Sequence, residues 1–431
     1  MNVELRHIRL ADLTWADRRN LLRRSAIADS SIQATADGIC EEIADGGDAA
    51  LATAGARFGG ARTPPLVPVS EMKSAWDGAE EGLRSAIEAA VANVELFHEA
   101  QRPAACAVEL EPGITIERVW SPLRSVGAYV PGGKAAYPSS LIMTVAPARV
   151  AGVDRIVVAS PAAPDGSMDL TLLAAAHYLG ITEMYAMGGA QAVAAMAYGT
   201  ESIEPVDKIV GPGNAFVTAA KLRVLGQCAI DMPAGPSEIL VLADATADSE
   251  MVAVDMLCQA EHGPDSPAVL VTTDPDLGAA VIQKLRSILP RLERHDILMQ
   301  ALSNHGLIVE APSLEAALEF ANDYAAEHVT VITENAERDA AQIYAAGSIY
   351  VGHWAPEAAG DYATGANHVL PTGGLARSMS PLGFEDFGSW RQVQTITEEG
   401  LKSISDTICT LATAEGLTAH RMSVEVRTRD R

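Results

Sequence analysis

From residue 114 to residue 353 the sequence repeats one device: a short apolar run that ends at a turn residue, followed by a stretch with helical spacing. The first series is "ITIERVWSPLRSVGAYV", "RIVVASPA", "MYAMGG" and "DKIVGPGN". The second is "SEILVLAD", "PAVLVTTD", "NHGLIVEA", "VTVITE" and "GSIYVGH". Continuous apolar runs of this length suit strands buried on both faces, and strands that alternate with helices pair in parallel. The fold class is therefore α/β, with two Rossmann-like but incomplete parallel-sheet units that meet near "DMPAGPSEIL" (231–240).

The flanks have a different rhythm. "DSSIQATADGICEEIADGGDAALATAGARF" and "SEMKSAWDGAEEGLRSAIEAAVANVELFHEAQRP" carry apolar residues at helical spacing, so the first hundred residues read as helices. Helix returns after residue 400, in "GLKSISDTICTLATAEGLTAHRMSVEVR". With 431 residues, 48% of them hydrophobic and 5% aromatic, the chain can bury a sizeable core made of Ala, Val, Leu and Ile.

A formal charge of −25 argues against a nucleic-acid partner, because phosphate backbones need a basic stripe. Five scattered Cys without a CxxC spacing point to neither a disulfide framework nor a thiolate metal site. No run of eighteen apolar residues suggests a membrane span, and the N-terminus lacks the pattern of a secretory signal. A cytoplasmic chain is the expectation.

In parallel α/β sheets ligands collect where strands end and helices begin. Three Gly-rich turns occur there: "YVPGGKAAYPSS" (129–140), "AMGGAQAVAAM" (186–196) and "VGPGNAFVTAAK" (210–221). None is a dinucleotide fingerprint or a Walker loop, yet together they favour a nucleotide or phosphate cleft, with Lys134 either a contact or a solvated side chain. Four histidines stand beside polar company. His262 lies in "CQAEHGPDSP" at helical spacing from Gln259; His328 follows Glu327; His368 lies seven residues after Asp361; His420 lies five after Glu415. A Gln/His pair alone is a weak metal signal, and a Glu-His pair could be a general base or an ordinary helix end.

The longer motifs are specific. "YVPGGKAAYPSSLIMTVAPARVAGV", "GGAQAVAAMAYGTESIEPVDKIVGPGNAFVTAAK", "DMPAGPSEILVLAD", "QAEHGPDSP", "EHV", "PEAAGDYATGANHVLPT" and "AEGLTAH" occur in this order over nearly the whole chain. By them the chain resembles the histidinol dehydrogenase family. The resemblance implies an NAD-dependent oxidoreductase acting on CH–OH, which takes L-histidinol through the aldehyde to L-histidine in the last steps of histidine biosynthesis. It implies zinc ligands at Gln259, His262, Asp361 and His420, the last from the partner subunit of a homodimer. It implies catalysis by Glu327 and His328, and NAD contacts at Tyr129, Gln191 and Asn214. Substrate contacts fall on Ser237, Gln259, His262, His328, Asp361, His368, Glu415 and His420, with Glu415 also supplied across the interface.

Domains follow from the same likeness: an N-terminal helical segment (1–25), a zinc and substrate domain (26–128 plus 237–381), an NAD-binding domain (129–236) and a dimer-exchanged C-terminal helical extension (382–431). Departures fall in 376–390, where "ARSMSPLG" and "GSW" differ from the commoner family pattern. They keep open an alternative, a zinc-dependent NAD dehydrogenase of another small polar alcohol such as a sulfonated diol. Retention of Asp361-Tyr362 and Glu415 favours histidinol, whose imidazole N–H suits a carboxylate partner.

Overall fold

A computed structural model describes residues 5–25, 29–132 and 137–429. Lys134, a candidate anion contact, lies outside the described residues. Two parallel sheets carry the molecule. One has six strands in the order Arg6–Arg9, Gly306–Glu310, Ala268–Thr272, Ile239–Ala243, His328–Ile332 and Ser348–Val351. The other has five, ordered Glu183–Ala186, Arg155–Ser160, Ser125–Tyr129, Lys208–Val210 and Ala229–Ile230. Every neighbouring pair in both is parallel. Central strands such as Ile239–Ala243 and Ala268–Thr272 are buried at every residue, which is why they read as continuous apolar runs rather than alternating ones.

Helix starts follow local chemistry. Asp169, Asn214, Asp248 and Ser313 each accept hydrogen bonds from first-turn N–H groups through their side chains. Such caps satisfy donors that the helix itself leaves unpaired.

Four features differ from the sequence-based expectation. The N-terminal segment is not all helix: Arg6–Arg9 joins the six-stranded sheet as an edge strand beside Gly306–Glu310, before the helix Trp15–Leu22. Four residues of which two are Arg and only one is apolar carry little strand signal, so only the distant partner reveals this pairing. Second, Ile114–Pro122 enters neither parallel sheet. It lies between Cys106–Glu111 and Gly388–Ile396 in an antiparallel ribbon. Third, the C-terminal region carries a short 3-10 turn, Phe384–Phe387, and a nine-residue strand before its α-helices begin at Glu398. That strand is polar and largely exposed, so no burial pattern marks it.

The fourth concerns the boundary that groups 26–128 with 237–381. The helix Ser30–Phe58 buries Ile39, Cys40, Ile43 and Leu51 against the five-stranded sheet, in one core with Tyr129, Val157 and Val193. The helices Val69–Gly78 and Glu81–Glu99 pack on that sheet's other face, with Leu141, Met143 and Leu173. By packing, residues 30–99 belong with the sheet of 125–230. The six-stranded sheet has its own cores on its two faces. Among the described residues no helix is long and apolar enough to cross a membrane.

Candidate active site

A cleft of about 460 Å³ opens between the two sheets, at the carboxyl ends of the five-stranded one. Its lining includes Ser237, His262, Glu327, His328, Asp361 and His368 together with Gly213 and Asn214. Ligands in such sheets bind where strands give way to loops, so the placement is the expected one.

Glu327 and His328 come from an abrupt helix-to-strand junction. The helix Leu314–Tyr324 ends at Ala325, a fully buried residue with φ of +50°, and the strand begins at His328. A non-Gly residue in the left-handed region is held there only by its surroundings. Both side chains are buried. Glu327 Oε2 accepts from the Glu238 backbone N–H at 2.9 Å, and His328 Nδ1 lies 3.2 Å from the Glu238 carbonyl oxygen. Two carboxylates also face Nδ1, Glu327 at 3.6 Å and Glu357 at 3.7 Å. The ring Nε2 is buried with no hydrogen-bond partner among the described residues. Burial pushes His328 down to about 3, which leaves a neutral imidazole. Burial also pushes the Glu327 carboxyl well above its usual range, against the lowering effect of the Glu238 N–H and the Ser237 side chain.

Beside this pair lies a cluster of nitrogen and oxygen donors. Ligand atoms of His262, Glu357 and Asp361 all lie within 4.8 Å of one another. Glu357 and Asp361 sit one turn apart on the helix Glu357–Tyr362, hence on one face. Gly360 lets that helix settle on the ring of Tyr350, where any Cβ would collide. The Tyr350 ring in turn stacks with His328, 6.1 Å between centroids.

Gln259 closes the neighbouring helix Ser249–Ala260; His262 follows, its N–H donating to the Gln259 carbonyl at 3.2 Å, before the Gly263-Pro264 break. Gln259 is fully buried, and neither the oxygen nor the nitrogen of its amide has a hydrogen-bond partner among the described residues. Both oxygens of Glu357 are buried and unpartnered in the same way. Orphaned polar atoms of this kind are costly unless something else satisfies them. A divalent cation of borderline character would satisfy carboxylate, imidazole and amide donors together, so the donor set fits zinc. Burial raises both the Glu357 and the Asp361 carboxyls.

Other expected residues fall in two groups. His368 Nδ1 lies 3.2 Å from the Asp361 carbonyl oxygen and its Nε2 3.4 Å from Ser140 Oγ, on the cleft wall. Tyr129, Gln191 and Asn214 meet in an adjoining cavity of about 370 Å³, which Asn214 shares with the main cleft. There Tyr129 Oη accepts from the Gly189 N–H at 3.1 Å. Glu415 and His420, by contrast, are exposed near the junction of the two C-terminal helices and do not line the cleft of the single chain. Glu357 is absent from the sequence-based set although it shares a helix face with Asp361; its i, i+4 spacing was a usable signal. The exposed Glu261 takes no part in the cluster.

A buried Glu-His pair beside a metal-type donor set, in the cleft of a two-sheet parallel fold, is an arrangement suited to an α/β enzyme. The family described as histidinol dehydrogenase matches residues 22–428. Histidinol dehydrogenase of Methanothermobacter thermautotrophicus is 47% identical over 393 residues, covering 91% of this chain and 92% of that protein. The enzyme of Vibrio parahaemolyticus is 43% identical over 412 residues, 94% of each chain. The crystal structure of histidinol dehydrogenase from Elizabethkingia anophelis superposes with a TM-score of 0.92 at 37% identity, over 98% of both chains. The chain belongs to the histidinol dehydrogenase family and is an oxidoreductase.

Proposed function

We propose that the cleft carries out the four-electron oxidation of L-histidinol, through L-histidinaldehyde, to L-histidine, with two NAD in succession and one zinc ion per subunit. The observation that carries this reading is the neutral His328, its Nδ1 facing the Glu238 carbonyl and its buried Nε2 unpartnered, next to the donor cluster of His262, Glu357 and Asp361. Gln259, His262 and Asp361 would hold the zinc with His420 of the partner subunit. When bound, zinc supplies a Lewis-acidic anchor for substrate nitrogens and NAD supplies the hydride acceptor.

The chain's own groups then have separate tasks. His328 Nε2 takes the hydroxyl proton as hydride leaves the carbinol carbon. Glu327, its basicity raised by burial, takes a proton from water as that water adds to the aldehyde. His328 returns its first proton to the aldehyde oxygen as the water adds, and the resulting hydrate then loses the second hydride and, to His328 again, a proton. Ser237 lies in the same wall as Glu327, and its side chain opposes the upward push of burial on that carboxyl. His368 and, across the dimer, Glu415 complete the substrate contacts. Tyr129, Gln191 and Asn214 line the cavity that would receive NAD, and because Asn214 borders both spaces, cofactor and substrate would meet there.

A homodimer that exchanges residues 382–431 belongs to this reading, because Glu415 and His420 lie away from the cleft of their own chain. So do an NAD half (129–236), a substrate half built on 237–381, and a cytoplasmic setting, which the free cysteines suit. The alternative, a dehydrogenase of another polar alcohol, drew its motive from residues 376–390. These do not line the cleft: Arg377 binds the Asp323 carbonyl and Trp390 packs with Arg118. Purified protein with zinc, NAD and L-histidinol should yield two NADH per histidine. A sulfonated diol oxidised in strong preference to histidinol would overturn the reading.

A further inference from the structure

The segment before the first long helix does more than cover a sheet edge. Its strand Arg6–Arg9 pairs with Gly306–Glu310, and Arg18 in the following helix meets Glu319 and Asp323 at 2.9 Å each. These contacts deliver Arg24 to the interior. Its guanidinium pairs with the Glu238 carboxylate, donates to the Tyr324 carbonyl, and lies over the Tyr324 ring, 3.4 Å from its centroid. Glu238 itself is 2% exposed.

Glu238 touches the reacting pair through its backbone on both sides. Its N–H donates to Glu327 Oε2 at 2.9 Å, and its carbonyl accepts from the His328 backbone N–H and faces His328 Nδ1, each at 3.2 Å. Its side chain accepts from the Gly373 N–H at 3.1 Å, which ties in the loop that follows His368. A carboxylate this deeply buried stays in place as an ion only with a paired cation. Burial drives the Glu238 carboxyl upward and Arg24 opposes it.

We propose that Arg24 is a positioning residue for the oxidation: by holding Glu238 in its buried place, it fixes the one backbone unit from which Glu327 and His328 are both aimed. The N-terminal segment thereby completes the active site rather than only the sheet. This inference rests on the reading of Glu327 and His328 as the acid–base pair.

The test uses the full chain with zinc and NAD. Arg24→Met keeps length and removes charge. It should lower kcat for histidinol about 10–100-fold, the cost of a misplacement near 1 Å, while KM for NAD stays within about twofold. Adding Glu238→Gln to that variant removes the unpaired charge but leaves an acceptor for Gly373, and should restore most of the lost kcat. A loop or segment that merely stabilised the fold would show no such second-site rescue. Unchanged kcat in Arg24→Met, or a double variant as slow as the single one, overturns the inference. If Arg24→Met does not fold, Arg24→Lys carries the test: a several-fold fall in kcat supports the inference and wild-type kcat overturns it. His328→Ala run in parallel keeps two failures apart. If it retains turnover, the acid–base reading fails; if it is inactive while the Arg24 variants are normal, only this inference fails.

Discussion

The His328 ring nitrogen Nδ1 lies 3.2 Å from the carbonyl oxygen of Glu238. A carbonyl can only accept, so this contact places the ring proton on Nδ1 and leaves the lone pair on Nε2. Two acidic side chains within 3.7 Å of Nδ1 favour the same tautomer. The nitrogen free to accept a proton therefore points away from the carbonyl that holds the ring.

His328→Ala should lower both half-reactions by about 10²–10⁴-fold, the usual range for a positioned general base. Stopped-flow measurement of NADH formation from histidinol and, separately, from histidinaldehyde checks this. Equal loss in both is expected, because the same nitrogen takes a proton each time.

Glu327→Gln should act on the second oxidation alone. Aldehyde oxidation falls about 100-fold, while single-turnover alcohol oxidation stays within several-fold of the parent enzyme. In the parent enzyme the aldehyde step should fade as pH drops through a value above the ordinary carboxylate range, because burial raises Glu327 and only its ionised form can take the water's proton. Loss of the alcohol step instead would reverse the assigned roles.

Gln259→Ala should weaken zinc binding by at least the roughly 10–100-fold that follows loss of a metal-orienting partner. Competition against a chelator reads this directly, without turnover. Gln259→Leu should bind zinc as poorly yet fold more stably without metal, since it removes two buried, unpartnered polar atoms.

Metal removal should have a pH signature. Glu327, Glu357 and Asp361 all have carboxyls raised by burial. Folded pKa values above unfolded ones mean that these carboxyls hold more protons in the folded state, so their contribution to metal-free stability falls as pH rises from the ordinary carboxylate range. A bound cation offsets this loss and competes with protons at low pH. Zinc should therefore raise the thermal midpoint more at pH 8 than at pH 5 in calorimetry, and equal increments would contradict the buried-charge account.

The parallel sheets were legible because strands buried on both faces must be written as unbroken apolar runs; Ile239–Ala243 and Ala268–Thr272 show this residue by residue. The exposed antiparallel ribbon had no such signature, and Gly388–Ile396 reads as polar chain until its partner Ile114–Pro122 is seen. Within the site, the long motifs led to His262, Glu327, His328, Asp361 and His368, which the fold gathers into one cleft. Glu357 was missed although it is one turn from Asp361. Arg24 and Glu238 could not be read at all, because their importance lies in an ion pair 214 residues apart along the chain.

The edge pairing at Arg6–Arg9 also sets a timetable. Arg9 and Glu310 are 301 positions apart along the chain, so the first strand of this sheet in chain order is the last but two to find a neighbour. Contacts of such separation are formed late and slowly. Until then, the Arg24 guanidinium that pairs with Glu238 sits on a segment not yet joined to its sheet, and Glu238 lacks its buried counter-ion.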